Sequence, residues 1–95
     1  MVERYLPGLT AGEVAAAVER MTAMAEEMAA EGMPIRHLSS AFIPEEEACF
    51  CQFEAPSDET LALANDRAAF PYARIVQIEP FAAAGTEAEP RRANP

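Results

Sequence analysis

The chain has 95 residues, 16 of them acidic and seven basic, so its formal charge is −9 at pH 7. This length supports one small domain. The negative charge would repel phosphate backbones and anionic membrane surfaces, so we expect neither nucleic acid nor membranes as partners. No apolar run approaches the roughly 20 residues that span a bilayer, and Met1 leads directly into a predicted strand without a basic leader, so we expect a cytoplasmic protein.

The amino-terminal third of the chain predicts a strand followed by a helix. Residues 1–6 predict the strand. Thr10 and Glu13 then form a capping-box pattern, in which the side chain of each residue accepts a hydrogen bond from the backbone N–H of the other. Apolar residues recur every three or four positions after this box, which predicts an amphipathic helix over residues 11–31.

The remaining elements follow the order strand, strand, helix, strand. Residues 35–43 and 48–54 predict two strands of a hairpin. A second helix begins near Ser57 and ends at Pro71, and residues 74–79 predict the last strand. The order βαββαβ is typical of the ferredoxin-like α+β sandwich, a four-stranded antiparallel sheet with both helices on one face.

Residues 1–81 are predicted to form this domain, and residues 82–95, which lack periodicity, a disordered C-terminal tail. The second face of the sheet is left open, and alternation along the strands assigns side chains to the two faces. The first strand is ambiguous, because either phase turns one charged residue, Glu3 or Arg4, toward the helices, and we favour Val2 and Leu6 toward the helices. The residues predicted to face the helices are Val2, Leu6, Leu38, Phe42, Cys49, Cys51, Phe53, Val76 and Ile78. The residues predicted on the open face are Glu3, Tyr5, His37, Ser39, Phe50, Gln52, Glu54, Ile75, Gln77 and Glu79.

His37 is the single histidine, and the alternation predicts it on the open face near carboxylates. Imidazole combined with carboxylate suits nickel, zinc and other divalent first-row ions. We therefore predict a metal site formed by His37 and a carboxylate, with Glu54 as the first choice of carboxylate ligand and Glu3 as the second. The alternative is a histidine that forms hydrogen bonds at a subunit interface. Three further residues of this face are candidates for binding a small ligand, namely Tyr5, Phe50 and Gln52.

Cys49 and Cys51 lie two positions apart on the third predicted strand, so both thiols point to one face. Positions i and i+2 of a strand are roughly 6.6 Å apart, at the outer limit for a disulfide, and we expect free thiols. The pair is either a set of soft-metal ligands or two small buried hydrophobic residues. The absence of a further cysteine favours the second interpretation.

Three separated segments resemble a known family. They are residues 2–10 (VERYLPGLT), residues 48–56 (ACFCQFEAP) and residues 70–76 (FPYARIV). Together they resemble DUF4242, a family of small bacterial proteins described as nickel-binding, over residues 1 to about 81. The resemblance implies a ferredoxin-like fold, a homodimer packed through its sheets and, in at least some members, bound nickel.

Three hypotheses for function follow. The first is a cytoplasmic homodimer that binds a divalent transition metal, nickel first, or a small ligand on the open face, without catalytic turnover. The second is a small cofactor-independent monooxygenase or isomerase on a dimeric α+β barrel, with His37 as general base and Tyr5 as hydrogen-bond donor. The third is a regulatory or interaction module. Phe50 and Ile75, predicted as apolar residues of the open face, favour the homodimer.

Overall fold

The computed structural model describes residues 1–81, so the predicted tail of residues 82–95 lies outside the described residues. The elements in chain order are β1 (Val2–Tyr5), α1 (Ala11–Ala30), β2 (Arg36–Ile43), a 3₁₀ turn (Pro44–Glu46), β3 (Ala48–Glu54), α2 (Asp58–Arg67) and β4 (Arg74–Ile75). The strands form one antiparallel sheet in the order β2-β3-β1-β4, and both helices pack on the same face. The predicted α+β arrangement of a ferredoxin-like fold is confirmed.

The caps predicted for both helices are present. Thr10 Oγ1 accepts a hydrogen bond from the N–H of Glu13 at 3.1 Å, and Glu13 Oε1 accepts one from the N–H of Thr10 at 2.9 Å. Gly32 follows α1 with a φ of 90°, a conformation that glycine adopts without the penalty of a side chain. Ser57 Oγ caps α2 by accepting from the N–H of Thr60 at 3.1 Å. Neither helix formed by the described residues is long and apolar enough to cross a membrane.

One hydrophobic core fills the space between the sheet and the helices. Its members alternate along the two central strands and recur every three or four residues along α1, as the sequence pattern predicts. Val2 and Leu6 face the helices as predicted. The buried apolar residues are Val2, Leu6, Val14, Ala17, Met21, Ala25, Met28, Ile35, Cys49, Cys51, Leu61, Ala64, Ala68 and Phe70.

The predicted faces of the fourth strand are wrong. Ile75, predicted on the open face, pairs with Val2 and packs against the core. β4 contains only Arg74–Ile75, and Ile78, predicted to face the helices, is exposed. Because apolar residues occupy both phases of this strand, its alternation does not determine its register.

A β-bulge in β2 reverses the predicted face of His37. His37 pairs with Phe53 and Ser39 pairs with Gln52, which leaves Leu38 as an extra residue on β2. A bulge shifts the alternation of side chains by one position. The prediction of His37 on the open face is therefore wrong, because its side chain points toward α1. Leu38, predicted to face the helices, is 44% exposed.

Met21 lies fully buried in the core, so a charge at this position tests the packing directly. Burying a carboxylate without a partner costs several kcal/mol, against a total stability of about 5–15 kcal/mol. We expect Met21→Asp to abolish cooperative thermal unfolding followed by circular dichroism. Ala23→Asp, on the exposed side of the same helix, should melt close to the parent. A Met21→Asp protein that melts cooperatively within about 2 °C of the parent would place Met21 at the surface.

Candidate functional site: a histidine–thiol cluster

The structure separates the three predicted metal ligands. Glu3 lies on the open face, where its carboxylate accepts a hydrogen bond from Arg74 Nε at 2.8 Å. Glu54, at the end of β3, forms an ion pair with Arg36 Nη2 at 2.8 Å. His37 lies on the other face of the sheet, so it shares a site with neither carboxylate. No group of three His, Cys, Asp or Glu side chains spaced to hold a metal occurs in the described part of the chain.

The three predicted ligand-binding residues lie together on the open face. Tyr5 is 61% exposed, and Phe50 and Gln52 are half-buried on the neighbouring strand. Apolar side chains of β1, β2 and β3 lie next to one another on this face, because the registers of the strands place them in neighbouring positions. We call this group the open-face patch, and its members are Tyr5, Ala41, Ile43, Ala48 and Phe50. The patch is an open part of the sheet surface, and Tyr5 and Phe50 line none of the three cavities described below.

A chain of hydrogen bonds joins His37 to two thiols beneath the sheet. His37 Nε2 lies 2.8 Å from Ser40 Oγ, and the Ser40 hydroxyl donates to Cys51 Sγ at 3.0 Å. The sulfur of Cys51 lies 3.8 Å from the sulfur of Cys49. At the other end of the chain, His37 Nδ1 lies 2.8 Å from Thr22 Oγ1 on α1. We call these five residues the histidine–thiol cluster.

Both ring nitrogens of His37 have hydrogen-bond partners. Nε2 lies 3.2 Å from the carbonyl oxygen of Ser39. Nδ1 lies 2.8 Å from Thr22 Oγ1, whose own hydroxyl donates to the carbonyl oxygen of Val18 at 3.1 Å. Burial lowers the pKa of His37 below 6.5, the Ser39 carbonyl acts in the opposite direction, and the positive charge of Arg4 adds to the lowering. The imidazole is therefore neutral at pH 7.

The thiols occupy the buried end of the cluster. Cys49 is 0% exposed and Cys51 is 1% exposed, and both are free thiols, as predicted. Burial raises the pKa of the Cys49 thiol to about 12, with a further contribution from the adjacent Cys51 sulfur. Cys49 is therefore protonated at neutral pH. The cluster reaches solvent at its other end, where Ser40 is exposed and His37 is partly exposed.

A buried arginine lies against the thiols. Arg4 is 2% exposed, and its Nε donates to Cys51 Sγ at 3.4 Å. Its Nη1 donates to the carbonyl oxygens of Phe70 and Pro71 at 3.2 and 3.3 Å, and its guanidinium carbon lies 3.6 Å from the centroid of the Phe70 ring. None of the three ion pairs among residues 1–81 includes Arg4, and its Nη2 has no hydrogen-bond partner there. No carboxylate within residues 1–81 forms an ion pair with its positive charge.

Arg4, Ser40 and Thr22 are residues of this region that were not predicted from the sequence. Arg4 carried a usable signal, because it lies between Val2 and Leu6 on the phase of β1 that faces the core. A charged residue at a core position is rarely buried without a specific partner. The serine and the threonine carried no such signal, since only the register of β2 brings them to the imidazole.

Three cavities of about 600, 630 and 530 Å³ lie elsewhere on the surface. The first adjoins Met1 and the start of α2, the second adjoins Phe70, and the third adjoins Pro34. His37 and Tyr5 line none of these three cavities, and they lie on opposite faces of the sheet. The general base and hydrogen-bond donor of the enzyme hypothesis are therefore not brought together.

The lowered pKa of His37 predicts a pH dependence of stability. The folded state binds a proton at His37 less readily than the unfolded chain, in which the pKa is near 6.5, so acidification through this pH favours unfolding. We expect the parent to lose more stability between about pH 7 and pH 5 than His37→Gln, measured by chemical denaturation. An equal or larger loss in His37→Gln would contradict a neutral, partly buried imidazole.

Comparison with known proteins places the chain in a family. No curated protein and no solved structure matches the chain significantly. Residues 1–78 match the model of a family described as nickel responsive protein SCO4226-like. This match includes every helix and strand of the fold described above. The chain belongs to the SCO4226-like family of nickel responsive proteins.

Proposed function

We propose that this protein binds a transition-metal ion, nickel first, through the histidine–thiol cluster, as a small homodimer without catalytic turnover. The sulfurs of Cys49 and Cys51 lie 3.8 Å apart, and the proposal rests on this spacing. Two sulfurs that bind one ion at about 2.3 Å in a tetrahedral arrangement lie about 3.8 Å apart. The two thiols therefore already have the spacing of a ligand pair.

The imidazole of His37 lies beside the thiol pair and does not complete a three-ligand set, because the hydroxyl of Ser40 lies between Nε2 and the Cys51 sulfur. Nε2 lies 2.8 Å from Ser40 Oγ, and this hydroxyl donates to the sulfur at 3.0 Å. The proposed role of His37 is therefore to position Ser40 and, through it, the Cys51 sulfur.

The chemistry of these donors suits the proposed ion and compartment. Thiolates bind soft and borderline transition metals, whereas the carboxylates of Glu3 and Glu54 are held by arginines on the other face. The family description supports nickel as the first ion to test. We propose a cytoplasmic location because free thiols stay reduced there.

Titration with Ni²⁺ tests the site in tag-free protein under reducing conditions. We expect binding by calorimetry together with a sulfur-to-nickel charge-transfer absorption. Cys51→Ser should remove the absorption and weaken binding at least about tenfold, because ligand shells lose this much or more when one group is removed. His37→Ala should weaken binding but keep the absorption, since both sulfurs remain.

Glu54→Gln is the matched control for the nickel experiment. The Glu54 carboxylate is one of the metal ligands predicted from the sequence, but it lies outside the histidine–thiol cluster. The nickel affinity and the charge-transfer absorption of this variant should therefore equal those of the parent. Nickel binding that persists in Cys51→Ser and weakens in Glu54→Gln would move the site to the carboxylates. Binding no tighter than about millimolar in the parent would exclude a physiological metal site.

The homodimer is supported by the open-face patch. The patch is apolar at its centre, and the ion pairs Glu3–Arg74 and Arg36–Glu54 lie at its margin. An apolar centre with a polar rim is typical of a protein–protein interface. A second copy related by a two-fold axis would cover the patch with the same patch.

Phe50→Glu tests this interface, because it places a carboxylate in the middle of the patch, where a second copy would bury it. We expect the parent to be a dimer by light scattering at micromolar concentration and Phe50→Glu to be a folded monomer. Leu63→Glu, at an exposed apolar position of α2 on the other side of the molecule, should remain a dimer. A monomeric parent would remove the homodimer from the proposal.

A further inference from the structure

We propose that the cavity beyond the C-terminal end of α2 binds a small organic cation that carries a protonated amine. This cavity of about 630 Å³ is the second of the three described above. No residue of the histidine–thiol cluster or of the open-face patch lines it, so the inference is independent of the proposed metal binding and of the homodimer. The residues that line it are Asn65, Asp66, Ala69, Phe70, Pro71 and Tyr72.

The side chain of Asn65 has an unused hydrogen-bond acceptor. Asn65 is 0% exposed, and its Nδ2 donates to the carbonyl oxygen of Leu61 at 2.7 Å. A carbonyl oxygen can only accept, so this contact identifies which end of the Asn65 amide is the nitrogen. No group among residues 1–81 donates to the other end, Oδ1. Buried amide oxygens nearly always have a donor, so a molecule in the cavity that carries a donor gains a hydrogen bond here.

The charge that faces the cavity is negative. Asp66 is exposed, and it is the one charged residue among the six that line the cavity. None of the three ion pairs among residues 1–81 includes Asp66. α2 ends at Arg67, so the cavity also adjoins the negative end of the helix dipole. A cationic donor such as an ammonium group is therefore favoured over a neutral donor.

The wall of the cavity is held by two arginines that do not line it. Arg4 Nη1 donates to the carbonyl oxygens of Phe70 and Pro71 at 3.2 and 3.3 Å. Arg20 Nε donates to the carbonyl oxygen of Ala68 at 3.3 Å. These bonds attach the wall to β1 and α1, so the cavity is formed before a ligand enters and binding requires little ordering. Because Arg4 is 2% exposed, its own charge does not face the cavity.

The aromatic residues of the wall favour an organic cation over a metal ion. The face of an aromatic ring attracts a cation, and Phe70 and Tyr72 both line the cavity. The guanidinium of Arg4 already covers one face of the Phe70 ring at 3.6 Å, whereas Tyr72 is half-buried and available. The volume also suits a small molecule with an apolar body. The ligand class is therefore an amine on a small apolar or aromatic group.

Three probes of nearly the same shape test the charge and the N–H donor separately. Benzylamine is protonated at pH 7 and carries N–H donors, benzyltrimethylammonium keeps the charge without a donor, and benzyl alcohol keeps a donor without the charge. Each probe is titrated into the ¹⁵N-labelled full-length chain, and the amide signals of residues 65–72 are followed by NMR. We expect benzylamine to bind at least about tenfold more tightly than either of the other probes.

Three variants test the residues. Asp66→Asn should weaken benzylamine binding at least about fivefold and leave benzyl alcohol unchanged. Asp58→Asn is the matched control, because it removes the same charge from an exposed position at the other end of α2. It should keep the benzylamine affinity within about twofold of the parent. Asn65→Leu should lower the affinity for benzylamine to that for benzyltrimethylammonium. If Asn65→Leu does not fold, the comparison of these two probes in the parent provides the same test.

The outcomes that would overturn the inference are distinct. Equal affinities for benzylamine and benzyltrimethylammonium would exclude Asn65 as the acceptor. Equal losses in Asp66→Asn and Asp58→Asn would show only a general attraction of cations to a chain of charge −9. Signals that shift around the other two cavities and not at residues 65–72 would place the ligand elsewhere. No shift with benzylamine at about 10 mM would exclude the site. None of these results bears on nickel binding by the thiols.

Discussion

The buried guanidinium of Arg4 is the constraint on which the rest of the structure depends. It connects β1 to β3 through the sulfur of Cys51, and it connects the sheet to the segment after α2 through the carbonyls of Phe70 and Pro71. Each buried carbonyl left without its donor would cost about 1–3 kcal/mol. The segment that leads into β4 is therefore attached to the sheet by the same side chain that brings a positive charge to the thiols.

The sequence predicted well those parts of the fold whose information is local. The capping box of Thr10 and Glu13, the apolar period of α1 and the serine cap of α2 each involve residues within one or two helical turns. The two central strands also kept their alternation, with Val2 and Cys51 facing the core. Each central strand has hydrogen-bonded neighbours on both sides, which leaves little room for irregular pairing.

The wrong predictions fall on the two edge strands, and they share a physical cause. An edge strand pairs on one side only, so an extra residue can be accommodated without disturbing a second neighbour. β2 contains a bulge at Leu38, and β4 is short with apolar residues in both phases. The sequence shows one histidine and a pair of cysteines, which are the residue types of the candidate site. It does not show that they lie close together, because the bulge at Leu38 turns His37 from the face that carries the carboxylates to the face that carries the thiols.

The bulge also separates the two proposed activities in space. The histidine–thiol cluster lies on the helix-covered face and reaches solvent at β2, the edge strand, through Ser40 and His37. The open-face patch lies on the opposite face, so a second copy that covers it would leave the solvent end of the cluster accessible. The chain carries a formal charge of −9, yet Glu3 and Glu54 at the margin of the patch are each paired with an arginine. Because both carboxylates are paired, they add no unpaired negative charge to the margin of the patch, where two copies of the chain would approach each other.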